Sequence, residues 1–273
     1  MQKSFAPETS RLIALLPFGY AFVSRYHWPR DFVVNALTAW VPGIILVSVL
    51  GGLTIGPAVF AYLLGYTAFI CLYEVGYLAN DSYGLKHDPT PRPRVTFKLG
   101  AAFATLFVLI RLSVFLTAIW ALGVSSNAVY WGAVLALIAT LVAHNCLHAV
   151  ELKFYTFLQL SLLRFALPAL PVLLAGAETG PVLTLFAVGL CLFTLPRFLT
   201  YLDAKGRLEL PERKARSYHL KAHLAVAPTL VFVSLLTSSP AALICLAWAL
   251  LVQSIYIQRG QALDSPVSNA RVL

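Results

Sequence analysis

The chain has 273 residues, 59% of them hydrophobic and only 11% charged, with a mean hydropathy of +0.80. An ordinary soluble domain carries about 25% charged residues, so this composition excludes a soluble globular protein and describes one lying almost wholly within a lipid bilayer. The formal net charge of +9 does not argue for nucleic acid, because the basic residues follow a membrane-topology pattern.

Residues 1–10 lack the order of basic, apolar and small residues that marks a signal peptide. The apolar stretch 12–23 is flanked by Arg11 and Arg25 and is short for a span. It predicts an interfacial helix over residues 11–28, with an additional span as the alternative. Arg25-Tyr26-His27-Trp28-Pro29-Arg30-Asp31 then reads as the basic, aromatic lead-in expected at a headgroup layer.

Eight candidate spans follow, at about 32–52, 57–80, 99–123, 127–150, 156–176, 180–200, 219–238 and 240–258, each near the roughly 20 residues a bilayer requires. The connections 51–56, 123–127, 176–180 and 237–240 are short and carry no Lys or Arg. Two others are longer and basic: 82–98, with Lys86, Arg92, Arg94 and Lys98, and 201–221, with Lys205, Arg207, Arg213, Lys214, Arg216 and Lys221. The positive-inside rule places both basic loops and both termini in the cytoplasm. The expected fold is all-α: a single polytopic transmembrane bundle over residues 1–273, in the cell's cytoplasmic membrane. The four cysteines all fall inside apolar runs, as small hydrophobes do, which predicts neither a disulfide framework nor a cysteine metal site.

The chemistry concentrates where the second span meets water. Glu74, Asp81 and Asp88 recur every seven residues, which on a helix keeps them within about 20° of one face. Consecutive members stand about 10 Å apart along the axis, too far to share one ion but able to line one polar track. Asp81 and Asp88, with Asn80 beside them, offer hard oxygen ligands at a membrane boundary. Such a set suits a magnesium ion that keeps some waters and bridges to a phosphate. A solvated helix end accounts for the same residues more plainly.

Charged groups at bilayer depth are expensive and are functional candidates by default. Glu74, His144, Asn145, Arg164 and Arg197 all fall toward the basic-loop ends of their spans. Internal pairing, for example of Glu74 with Arg164, is the structural explanation. The cations outnumber the anions, however, and a phosphate or diphosphate ligand supplies the missing charge. Arg111, mid-span, either pairs internally or touches a lipid phosphate. His144 and His148 have the spacing of a metal pair, but the segment holds no complete ligand set for zinc. Arg197, Tyr201 and Lys205 share a helix face and form a second phosphate-binding candidate, with an ordinary interfacial anchor as its alternative.

Asn80-Asp81, then Asp88, then Arg92-Pro93, at the end of the second span, resembles the first aspartate-rich motif N-D-x-x-D-x-x-x-D of the UbiA superfamily of intramembrane prenyltransferases. Gly84 stands where that motif has its middle aspartate. Tyr201-x-x-x-Lys205 resembles the superfamily's Y-x-x-x-K element, and no second D-x-x-x-D motif follows. The segment 25–35, Arg259-Gly260 and Pro266 are similar to the branch of polyprenyl-phosphate phosphoribosyltransferases. The resemblance implies a magnesium-dependent transferase with its site facing the cytoplasm. Magnesium on Asp81 and Asp88 would hold a donor diphosphate, and Lys86, Arg92, Arg197 and Lys205 would neutralise its developing charge. A polyprenyl lipid would enter from the bilayer. The favoured reaction is phosphoribosyl transfer from phosphoribosyl diphosphate to a polyprenyl phosphate. The alternatives are prenyl transfer from a prenyl diphosphate to an aromatic or other small acceptor, and a non-catalytic polyprenyl-lipid carrier or scaffold of a glycolipid pathway.

Overall fold

The computed structural model describes residues 7–26, 29–83, 94–175 and 179–264. Among the described residues there is no strand, and seven helices are long and apolar enough to cross a membrane. The chain is a multi-pass, all-α membrane protein.

Two short helices come first, α1 (Pro7–Leu15) and α2 (Gly19–Ser24). The first crossing, α3, runs through Pro29–Asn35, a π-helical turn Ala36–Trp40, and Val41–Leu50. Then follow α4 (Ile55–Ser82), α5 (Ala101–Ala121), α6 (Ala128–Cys146), α7 (Val150–Ala166) and α8 (Leu170–Leu173). The next crossing, α9, joins Gly180–Val188, a π-helical turn Gly189–Thr194, and Leu195–Ala204. A 3-10 turn at Pro211–Lys214 leads to α10 (Tyr218–Leu236) and α11 (Ala241–Asp264). The connections 51–54, 122–127 and 237–240, which carry no charged residue, lie at one end of the bundle and the basic connection 205–217 at the other; these are the neutral and basic ends.

Both π-helical turns have the same cause. Pro42 and Pro196 have no N–H to bond four residues back, and their rings press on the carbonyls of Thr38 and Leu192. Each of those residues sits within a π-helical turn, where the wider winding relieves the clash.

Two expectations change. The fifth expected span, 156–176, is two helices rather than one. A turn at Leu167-Pro168-Ala169 separates α7 from α8, since Pro168 cannot continue the helix without losing a backbone bond. The broken pair still traverses the bundle, because Val172 packs against Gly51 at the neutral end. Midway, Gly65 of α4 lies directly on the Pro168 carbonyl, where any Cβ would collide with backbone.

Of the stretch 11–28, expected as one interfacial helix, the described residues 11–26 form a hairpin that dips into the bundle from the basic end. Arg11 stacks over Phe103 at the start of α5, and the α1 carbonyls reach Arg111, about 12 Å deeper along α5. The chain breaks at Leu16-Pro17-Phe18. Phe18 takes a left-handed conformation, with φ at 68°, at a cost of roughly 1–2 kcal/mol. Its ring stacks on Tyr66, with centroids 5.3 Å apart, and packs edge-on to Trp40. Gly19 lies against the Ile13 carbonyl, too close for any side chain. From there α2 returns along α4, from the depth of Glu74, which takes the Ala21 N–H, to that of Asp81, which takes Arg25. Arg111 and Glu74 close the break, and both side chains are fully buried. Arg111 donates from Nε to Glu74 (2.8 Å), from Nη1 to the Leu15 carbonyl (2.6 Å), and from Nη2 to the carbonyls of Ala14 (2.9 Å) and Leu16 (2.7 Å). The other Glu74 oxygen accepts the N–H of Ala21 at 2.7 Å. A cation thus serves the carbonyl end of α1 and an anion the amide end of α2, the signs that helix termini favour. The pairing of Glu74 with Arg164, one expectation from the sequence, gives way to Glu74–Arg111.

Candidate functional site

A cavity of about 330 Å3 opens near the basic end between α2, α3, α4, α7 and α9. Arg25, Tyr26, Asp31, Asn35, Tyr77, Arg164 and Arg197 supply its polar wall. Asp31 is the one carboxylate among the described lining residues, against three guanidinium groups.

Each guanidinium is held differently. Arg25, just past the end of α2, grips Asp81 with a two-pronged fork, Nη1 to Oδ2 at 3.0 Å and Nη2 to Oδ1 at 2.9 Å. Its plane lies over the Tyr77 ring, 4.3 Å from the centroid. Arg164 donates to Asn35 Oδ1 (2.8 Å) and to the Tyr26 hydroxyl (3.3 Å), both neutral acceptors. Burial pushes the Tyr26 phenol well above its usual range, so it stays protonated beside this cation. Arg197 lies over Phe193, 4.9 Å from the ring centroid.

Three buried donors in this wall have no partner: Arg25 Nε, Asn35 Nδ2 and Arg197 Nε. Each such donor costs about 1–3 kcal/mol while unsatisfied. They belong to side chains whose other atoms are fixed by the bonds and stacks above. The lining therefore carries more cations than anions and a surplus of hydrogen-bond donors.

Asp81 is 5% exposed and lies behind Arg25, outside the cavity lining. Besides the Arg25 fork it accepts the Tyr20 hydroxyl at 2.8 Å and the Asn80 amide at 3.2 Å. Its two oxygens are thus committed to protein donors. Asp88, Lys86 and Arg92 lie outside the described residues.

The second polar cluster divides. Arg197 enters the cavity wall. Tyr201 stacks flat on Phe157, with centroids 4.0 Å apart and planes 6° apart, and meets Phe154 edge-on. Lys205 is exposed, its ammonium 5.8 Å from the Tyr201 ring centroid. Neither residue lines the cavity. His144 bonds through Nδ1 to Thr156 Oγ1 at 2.7 Å, and the Asn145 amide reaches the Gly76 carbonyl at 3.4 Å. Both secure α6 to its neighbours. Among the described residues no three His, Cys, Asp or Glu side chains gather as a metal site.

Arg25, Tyr26, Asn35 and Tyr77 were not singled out as site residues from the sequence. Asn35 carried a usable signal, a polar side chain at the start of an apolar span. Arg25 and Tyr26 carried none beyond that of a headgroup anchor. Fold and cavity together define a polytopic helical membrane protein with a buried cationic pocket near its basic end. The chain matches no protein-family model, no curated protein and no solved structure.

Proposed function

We propose that this protein binds the anionic group of a phosphorylated substrate in the cavity and acts as an intramembrane transferase. The preferred reaction moves phosphoribosyl from phosphoribosyl diphosphate to a polyprenyl phosphate. The observation that carries the anion-binding part is the set of unpartnered buried donors on Arg25, Asn35 and Arg197. Phosphoryl oxygens are acceptors that match guanidinium forks in charge and geometry. At about 330 Å3 the cavity is near the small end of ligand pockets, so it suits a headgroup, with the lipid tail in the bilayer. The positive-inside rule turns this end toward the cytoplasm, where a soluble sugar-phosphate donor would reach it.

In this reaction the bond between ribose C1 and the diphosphate oxygen breaks, a bond from C1 to a lipid-phosphate oxygen forms, and diphosphate leaves. Arg164 and Arg197 stabilise the departing charge, and the rings of Tyr26 and Tyr77 limit water at an oxocarbenium-like centre. Magnesium belongs to this reading as the counter-ion of the donor diphosphate. Asp81, with both oxygens committed to Arg25, Tyr20 and Asn80, does not fit as its ligand.

A second reading, a non-catalytic carrier or scaffold for a polyprenyl phosphate, draws on that same commitment of Asp81. Purified protein supplied with magnesium, a polyprenyl phosphate and phosphoribosyl diphosphate separates the two. Release of diphosphate with formation of a lipid-linked phosphoribose supports the transferase. Turnover with a prenyl diphosphate and an aromatic acceptor instead moves the assignment to prenyl transfer. Binding of the lipid phosphate without turnover of either donor leaves the carrier, and absence of binding refutes all three.

A further inference from the structure

We infer that Asp81 works through Arg25, as a positioning residue that holds the Arg25 guanidinium with its Nε edge presented to the anion in the cavity. The inference rests on the reading of the cavity as a phosphoryl site.

The geometry carries it. Arg25 lies just beyond the short helix α2, on a hairpin stem whose side chain would otherwise have many rotamers. Asp81 receives both terminal nitrogens, at 3.0 and 2.9 Å, which fixes the guanidinium plane, and Tyr77 covers one face of it. Of the three guanidinium nitrogens only Nε is left, and it is buried and unpartnered. Tyr20 and Asn80 in turn hold the carboxylate. This chain of contacts ends at an unpartnered donor on a residue that lines the cavity. A solvated ion pair needs neither the fork, nor the flanking donors, nor the orphaned edge. A carboxylate serving as a metal ligand would need its oxygens free.

The test uses the full chain in nanodiscs, with farnesyl phosphate as the lipid probe and inorganic diphosphate as the soluble one. Each is titrated with EDTA and with magnesium. Wild-type protein is expected to bind at least one probe in EDTA, and the stronger probe identifies the lipid headgroup or the soluble donor as the source of the anion. Asp81→Asn, which keeps the shape and removes the charge, should weaken binding roughly 10- to 100-fold, the loss expected for a displaced charge-assisted donor. Arg25→Ala should weaken it similarly, and the double variant should be no weaker than Arg25→Ala alone. Additive losses overturn the inference, as does wild-type affinity in Asp81→Asn. A wild-type affinity that vanishes in EDTA also overturns it and returns Asp81 to a metal role. Should Asp81→Asn fail to fold, Arg25→Lys takes its place: it keeps the cation but breaks the fork, and undiminished binding by that variant also overturns the inference. If wild-type protein binds neither probe in either condition, the phosphoryl reading of the cavity falls, and this inference with it.

Discussion

Replacing Arg111 with leucine isolates the hairpin from the rest of the fold. The substitution leaves Glu74 as a fully buried carboxylate without its cation, and it strands the carbonyls of Ala14 and Leu15, while that of Leu16 keeps the Gly19 N–H. Breaking a buried ion pair from one side costs about 3–5 kcal/mol, and each stranded acceptor adds roughly 1 kcal/mol or more where it cannot turn to another donor. We expect Arg111→Leu to lose at least about 4 kcal/mol, the middle of the ion-pair range, with the loss concentrated in residues 14–22. Adding Glu74→Leu removes the unpaired charge but not the stranded carbonyls, so the double variant should recover only part of the loss. Unfolding in mixed micelles with increasing dodecyl sulfate gives the free energies. Hydrogen exchange read by mass spectrometry locates the opening. A variant within about 1 kcal/mol of wild type, with the amides of residues 14–22 still protected, would refute the reasoning.

Gly65→Leu forces a side chain into the Pro168 carbonyl and should cost more than about 2 kcal/mol in the same unfolding assay. Arg197→Ala is expected to weaken binding of the stronger of the two probes, farnesyl phosphate or diphosphate, roughly 10- to 100-fold, whereas Lys205→Ala, whose ammonium is exposed and outside the cavity, should change it less than about twofold. In a cysteine-free background, engineered cysteines at Ser125 and Ala204 should react with a membrane-impermeant maleimide from opposite sides of the bilayer. Reaction from one side only would contradict the separation of neutral and basic ends.

Most of the crossings were legible because a bilayer imposes one strong constraint, about 20 apolar residues with their backbone bonds satisfied internally. The fifth crossing was legible as an apolar run but not as a broken helix. Pro168 and Pro171 signal a break, yet membrane helices often carry prolines intact, as α10 carries Pro228. The hairpin was hidden for a related reason. Twelve apolar residues between two arginines describe an interfacial helix as well as a dipping one, and Pro17-Phe18-Gly19 is only a local hint. The deciding residue, Arg111, lies 96 positions from Leu15. Depth alone placed Glu74 within reach of several arginines and could not choose among them. Of the expected site, Arg197 and Arg164 reach the cavity. Tyr201 and Lys205 were grouped with Arg197 by helical spacing, and spacing carries no information about Phe157, the ring that takes Tyr201 away.

The Arg111–Glu74 clamp also sets an order of assembly. The hairpin leaves the ribosome before α4 and α5, so both groups that satisfy its broken backbone are made later, Glu74 53 positions after Ala21 and Arg111 96 positions after Leu15. Until α4 and α5 are in the bilayer, the carbonyls of Ala14 and Leu15 and the N–H of Ala21 have no partner there, and the hairpin must wait at the water interface. Of these three segments the earliest made is therefore the last to be seated. A nascent chain halted before Arg111 emerges should leave an engineered cysteine at Ala14 open to a water-soluble maleimide, and one halted after α5 has inserted should protect it. Protection in the shorter chain would mean that the hairpin enters the membrane without its clamp.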